Sequence, residues 1–256
     1  NVISKNTKLN KIKKDIPYVT VSQNDDGLIG MHDHTNILVL SAGGYGHVPI
    51  PLLKQPEIPR NDVVHRDRKF ILNYVGSLEN SPRNLRKEMH EILVERSRNF
   101  SNPSRRKQKL YTYLFGQDWR SIMSKSLFSL CPRGYGRTAF HLMESLQMGL
   151  IPIQVYSDIP WIPYNNLIGS NSDPVVYATD LNGLLPLIEN LTSLSMEDIE
   201  RKEQKIMALR KTHFLPHGVM VQIQNLMLGK NTDFECSALP NSVRDQVNIK
   251  KNRVSL

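Results

Sequence analysis

Apolar and polar positions alternate along this chain in blocks that change period from two to about three and a half and back again. Residues 18–22, Tyr-Val-Thr-Val-Ser, alternate as a half-buried strand does, and residues 37–41 read as a second strand. Further strands are predicted at 70–75, 110–115, 127–130, 150–155 and 175–178. Helical spacing begins after Ser81-Pro82, an N-cap followed by proline at the first helical position, and runs through Leu85, Met89, Ile92 and Leu93. A short helix is expected over 119–126. A second long one covers 138–148, with Ala139, Leu142, Met143 and Leu146 on one side and Gly149 to end it. Residues 180–190 and 195–210 read as helices, and 213–229 as a helix broken near Pro216 and Gly218. Residues 1–15 are basic and poor in apolar positions, and 231–256 form a polar tail without periodicity. Strands alternating with helices predict an α/β fold with a largely parallel sheet.

Within that pattern, residues 124–163 form the centre: strand, Pro132-Arg-Gly-Tyr-Gly-Arg137 turn, helix, strand, which is one βαβ unit. Such a unit binds anions. N–H groups of the loop and first helical turn converge on one spot, and the helix dipole adds positive charge there. Arg133 and Arg137 bracket the loop and suit a diphosphate in fork geometry. Gly134, Tyr135, Gly136 and Thr138 complete the loop. Glu144 shares a helix face with His141 and Met148, and a carboxylate there suits a pair of ribose hydroxyls. The competing reading is a plain parallel unit with solvated arginines and an exposed Glu144. Asp158, beyond the second strand, either lines a sugar pocket or caps a turn.

Composition narrows the classes. The chain has 256 residues, enough for one large domain or two small ones, and no apolar run approaches the ~18–20 residues of a membrane span. No signal peptide is visible, and a start at Asn1 rather than Met suggests a segment of a longer protein. The net charge of +9 is compatible with an acidic partner such as an anionic glycan. The basic residues lack interleaved aromatics, and no zinc-finger or RNA-binding signature occurs, so nucleic acid is not an expected partner. Cys131 reads as a small buried hydrophobe and Cys236 falls in the tail; a disulfide between them is allowed but not required. His32, His34 and His47 make no convincing metal set, and no D-x-D triplet is present, so no metal site is assigned. The Gly43-Gly44-Tyr-Gly46 cluster lacks the Lys-Ser/Thr ending of a phosphate loop and reads as a tight loop. Asp25 and Asp26 read as turn formers, with lining of an acceptor cleft as the alternative. Asn99-Phe-Ser and Asn190-Leu-Thr are glycosylation sequons.

The wording of the centre adds a resemblance. SLFSLCPRGYGRTAFHLMESLQMGLIPIQV, followed by Ser-Asp and a W-x-P-Y segment, resembles the exostosin-like family of glycosyltransferases. Pro132, Gly134, Glu144, Ile151, Pro152 and Asp158 stand at matching places. Arg68, eight residues before Gly76 in RKFILNYVGS, matches a second family feature, and the likeness runs from about residue 17 to 166.

It implies a two-Rossmann-domain GT-B fold, of which the chain holds mainly the C-terminal, nucleotide-sugar-binding half. Residues 60–230 would be that half, 17–59 a remnant of the acceptor half, 1–16 an arm and 231–256 a tail. It further implies an inverting, metal-independent transfer without cofactor, from a UDP-sugar to a glycan or glycoprotein acceptor, an acidic one being compatible with the net charge. The setting would be the Golgi or endoplasmic reticulum lumen, reached through an anchor outside this chain, with a homo- or hetero-oligomer possible. Donor contacts would come from Arg68, Gly76, Arg133, Gly134, Tyr135, Gly136, Arg137, Thr138, His141, Glu144 and Asp158. Asp158 and Asp26 are weak candidates for the catalytic base. The family's Ser and Arg at the helix start are Ala139 and His141 here, which leaves a non-catalytic nucleotide- or polyanion-binding relative as the alternative.

Overall fold

The computed structural model describes residues 12–28, 34–60, 67–101, 107–170 and 172–235. Two parallel sheets carry them. The first has the order β1-β2-β3, from β1 (Tyr18–Ser22), β2 (Ile37–Ser41) and β3 (Val48–Pro49). The second contains β4 (Phe70–Val75), β5 (Lys109–Leu114), β6 (Ser126–Pro132), β7 (Ile151–Val155) and β8 (Tyr177–Thr179), in the order β5-β4-β6-β7-β8. All its pairings are parallel. Helices α1 (Leu85–Arg98), α2 (Trp119–Ser124), α3 (Phe140–Met148), α4 (Asn165–Ile168), α5 (Leu181–Thr192), α6 (Met196–Leu209) and α7 (Pro216–Met227) fill the connections. The expected α/β fold with a Rossmann-like parallel sheet is therefore present.

The central strands β6 and β7 are buried along their whole length, as strands covered on both faces must be. That is why their sequences read as continuous apolar runs. One apolar cluster reaches from Leu40, Ala42, Val48 and Ile50 of the first sheet to Leu72, Leu130 and Leu142 of the second, so the sheets share a core. None of the helices among the described residues is long and apolar enough to cross a membrane.

Local chemistry sets several helix ends, Gly149 as expected from the sequence. Ser195 caps α6 by accepting from the Asp198 amide at 3.0 Å, and Asp180 caps α5 through the Gly183 amide at 2.9 Å. Gly149 ends α3 in the left-handed region, φ 82°.

Other details differ from the pattern reading. The two-residue β3 carries too little sequence to show a period. A 3-10 turn at Pro82–Asn84 precedes α1, and a π-turn at Arg210–Phe214 precedes α7, which restarts at Pro216 where proline suits a first helical turn. Residues 231–235, expected as the start of a loose tail, pack on the fold, and the rest of that tail lies outside the described residues. Phe234 is buried, stacked on Tyr164 at 4.5 Å, and the Glu235 carboxylate accepts from the Asn166 amide at 2.8 Å. Cys131 is a buried free thiol pushed up to about 12 by desolvation, while Cys236 and His32 lie outside the described residues.

Candidate functional site

In chain order the five-stranded sheet runs second, first, third, fourth, fifth. Its topological switch point therefore lies between β4 and β6, and ligands of such sheets bind beyond the strand ends there. Two loops flank the crevice, 76–81 after β4 and 133–139 after β6. Arg86 sews them together, donating to the carbonyl oxygens of Arg133 at 3.1 Å, Ser77 at 3.2 Å and Glu79 at 3.3 Å. Tyr135 crosses the gap, its hydroxyl 3.3 Å from Asn80 Oδ1.

Backbone strain gathers here as well. Among the described residues, the non-glycine residues with positive φ are Asn80, Arg83, Asn84 and Tyr164, all in connections that leave the carboxyl ends of strands. Such conformations cost of order 1–3 kcal/mol each and cluster at ligand sites. Gly76, at φ 139°, takes the one residue type that tolerates its angle freely.

The sequence assigned Arg133 and Arg137 to a diphosphate; the structure binds both to Asp158. Arg133 Nη1 donates to Asp158 Oδ1, and Arg137 Nε to Oδ2 at 2.8 Å. The two guanidinium groups are buried, which corrects the expectation of accessible cations. Arg133 further donates to the carbonyls of Gly136 at 3.0 Å and Tyr135 at 2.9 Å, so it holds its own loop in shape. Burial alone would raise the Asp158 carboxyl, but the charges of both arginines and the Arg137 hydrogen bond hold it below the usual carboxylate range. Both carboxylate oxygens are thus engaged by arginines, which makes Asp158 a structural counter-charge rather than a group free to take a proton from an acceptor hydroxyl.

Arg137 is also a clasp between the sheets. Its amide donates to Gly43 O at 2.8 Å, its Nη1 to Gly44 O, and its guanidinium lies 4.6 Å over the Tyr45 ring. A Cβ on Gly44, whose φ is 101°, would strike the Arg137 side chain. The Gly43-Gly44 pair is thus a place of close approach rather than a simple turn. Trp161 makes a second join, Nε1 donating to Ser41 O at 2.9 Å, and Gln154 beneath it donates to Arg137 O at 3.0 Å and Trp161 O at 3.2 Å. The turn at 24–27, exposed over Asn24–Asp26, rests on the same loop: a Cβ on Gly136 would come 2.9 Å from Asp25 Oδ1. Asp25 is thereby set against the loop.

Helix α3 starts from Ala139, which has an extended backbone and no side chain to cap the first-turn amides. Thr138 is buried, its carbonyl accepting from Gly134 at 3.1 Å. His141 does not face the loop. Its Nε2 lies 2.9 Å from Ser129 Oγ on β6, and Ser129 in turn donates to Asn73 Oδ1 on β4 at 3.2 Å. His141 Nδ1 lies 3.0 Å from Glu144 Oε2, and Lys54 Nζ is 2.6 Å from Glu144 Oε1. Lys54 also pairs with Glu57 at 2.6 Å, and Arg120 holds Glu57 with two bonds of 2.8 and 3.0 Å. Burial would raise Glu144, but the hydrogen bond and charge of His141, and then those of Lys54, bring it down to about 2. Glu144 remains partly accessible, and its two oxygens have lone pairs beyond those used.

Arg68 is the clearest misplacement. It precedes β4 and so sits at the amino end of the strand, opposite the switch-point loops. There it pairs with Glu203 of α6 in fork geometry, 2.6 and 3.0 Å, both groups buried, with Arg60 on the same carboxylate. Arg83 stands at the correct end. It is exposed and strained, with φ 53°, and has no side-chain partner among the described residues. Lys54, Arg86 and Trp161 were not singled out for these roles; their partners lie 90, 47 and 120 residues away, and only the Gly43-Gly44 pair hinted at the junction. No group of three or more His, Cys, Asp or Glu suited to a metal occurs among the described residues.

Comparison with known proteins adds a sequence relative. Over 123 residues the chain is 32% identical to a rice (Oryza sativa subsp. japonica) protein described as a probable glucuronosyltransferase. The match covers 44% of this chain and 27% of the relative, so the chain matches about a quarter of that protein's length. The chain is thereby related in sequence to a glycosyltransferase. No protein-family model matches it. Solved structures with partial likeness include MurG of Acinetobacter baumannii, at 13% identity and a TM-score of 0.47, covering 84% of this chain and 67% of that one. TarM gives 10% identity and a TM-score of 0.43, covering 76% of this chain and 39% of that one. Sucrose-phosphate synthase of Thermosynechococcus elongatus gives 11% and 0.37, covering 86% and 47%.

Proposed function

We propose that this chain carries the donor site of an exostosin-like glycosyltransferase of GT-B architecture, moving a sugar from a UDP-sugar to a glycan hydroxyl with inversion. The observation that carries it is the crevice at the β4/β6 switch point, flanked by the strained connection from Gly76 to Asn84 and by a helix whose first-turn amides lack a side-chain cap. The sequence relationship to a probable glucuronosyltransferase supports sugar transfer over other nucleotide chemistry.

The diphosphate would lie against the amino end of α3, where unpaired amides and the helix dipole favour negative charge. Arg83 would supply the mobile cation that Arg133 and Arg137, held by Asp158, do not. Rate enhancement at a site of this kind comes chiefly from stabilising the charge that builds on the departing diphosphate. Glu144, kept ionised by His141 and Lys54, would accept from the ribose hydroxyls. Asp25, exposed and set against Gly136 from the other sheet, would take the proton from the acceptor hydroxyl. The transfer would proceed without a divalent metal, in the lumen of the Golgi or endoplasmic reticulum.

Titration of UDP and UDP-sugars, followed by ligand-observed NMR, tests this. Saturable UDP binding weakened about tenfold by Arg83→Ala, and also by Glu144→Gln, is the expected result. A folded wild type that binds no nucleotide overturns it. A second reading, nucleotide binding without turnover, is favoured by Ala139 in place of a capping serine and by the commitment of both loop arginines. Binding of UDP-sugar with no transfer to any acceptor, and no effect of Asp25→Asn, would select it.

A further inference from the structure

The large exposed aromatic side chains of the described residues are confined to one rim. Phe115 is 72% exposed, Tyr135 56% and Phe140 52%. Phe115 follows β5, Tyr135 follows β6, and Phe140 opens α3, so all three stand at the carboxyl ends of strands in the five-stranded sheet. The register sets Leu114 beside Val75, which puts Phe115 level with Gly76 at the edge of the switch-point loop. The Gly76 amide donates to Leu114 O at 3.0 Å, tying the two chain exits together. Strands β5 and β6 lie two spacings apart, about 10 Å, with the 76–81 loop between them. That loop exposes Glu79 and Asn80, and Gln117 is exposed next to Phe115. The Tyr135 hydroxyl rests on Asn80, which holds the ring across the gap.

We propose that this rim is the acceptor subsite, a platform that takes consecutive pyranose rings of a glycan chain, with Phe115 as its outer stacking residue. A pyranose presents an apolar face of C–H groups and an edge of hydroxyls. Aromatic faces match the first, and amides such as Asn80 and Gln117 match the second. Three large aromatic surfaces left in water on one rim, and interleaved with hydrogen-bonding groups such as Asn80 and Gln117, suit that ligand better than a protein partner, whose interface needs a contiguous apolar centre. A chain lying from Phe115 towards Tyr135 leads its end into the crevice assigned above to the donor. The proposal rests on that assignment for its orientation only.

Affinity electrophoresis of the full chain through gels containing arabinoxylan, hydroxyethyl cellulose or heparin tests it, with UDP titration run beside it. The expected result is retardation by at least one polysaccharide, with dissociation constants raised about tenfold by Phe115→Ala, restored by Phe115→Trp, and unaffected by moderate salt. UDP binding stays unchanged in both variants. Equal retardation of wild type and Phe115→Ala overturns the proposal, as does retardation by heparin alone that salt abolishes. If no polysaccharide retards a wild type that binds UDP, the platform falls and the donor reading stands. If Phe115-dependent retardation occurs without UDP binding, the platform stands and the donor reading falls.

Discussion

Asp158 shows how one carboxylate can decide the roles of two other residues. Between Arg133 and Arg137 it converts two cations that sequence assigns to a ligand into a buried, charge-paired cluster. Replacing it by Asn leaves two desolvated guanidinium groups short of a counter-charge, an expected loss of about 3–5 kcal/mol in urea unfolding. Its folded carboxyl titrates below the ordinary value, so its stabilisation is present above that value and lost as pH falls through the lower one. Glu144 follows the same sign over a stated window. It titrates near 4.5 when unfolded and about 2 when folded, so its contribution is complete above pH 4.5 and fades towards pH 2. Glu144→Gln is expected to lose about 2–3 kcal/mol at neutral pH. Its stability should then fall less than that of wild type between pH 4.5 and 2, as read by urea midpoints across that range.

At the scale of elements, α3 and β4 each carry a residue whose effect separates folding from binding. Ala139 leaves α3 uncapped; Ala139→Ser is expected to add about 1 kcal/mol of stability, measured by thermal or urea unfolding without ligand. Arg68 precedes β4 and ties it to α6 through Glu203. Arg68→Ala breaks a buried pair and should cost about 3 kcal/mol, the lower end for such pairs because Arg60 remains on Glu203. UDP affinity should not change, since the residue lies at the far end of the strand. A loss of UDP affinity in a folded Arg68→Ala protein would contradict its position away from the crevice and restore the donor role that the family resemblance implies.

At the scale of the molecule, the joins between the two sheets among the described residues include Arg137 on Gly43 and Gly44, Trp161 on Ser41, and a shared apolar cluster. The approach is closest at Gly44, where any Cβ collides with Arg137 and the backbone angle is one that other residues resist. Gly44→Ala is expected to loosen this junction, seen as faster amide exchange in 42–47 and at Arg137, with β6 and β7 still protected. Unchanged exchange at both segments would show that the clasp does not hold the sheets together.

Local order in this protein was readable because local physics sets it. The alternation of residues 18–22 gave β1, and short apolar runs gave β2 and β4, to within a residue. The continuous apolar run of β6, the spacing of α3 and the glycine after it defined the central unit, since each depends on neighbours within a few positions. Side chains at the strand ends were also placed near the crevice, because a parallel βαβ unit leaves its loops there. The partners of the charged residues were not legible. Arg137 against Gly44, Lys54 against Glu144 and Arg68 against Glu203 join positions 93, 90 and 135 residues apart. A guanidinium is drawn to whichever carboxylate folding buries beside it, and no spacing rule in the chain encodes that choice. Neighbouring residues suffice to set the sheet, the loop and the helix of the candidate site. Which of its charges hold the fold together and which are left facing the crevice depends on contacts that exist once the chain has folded.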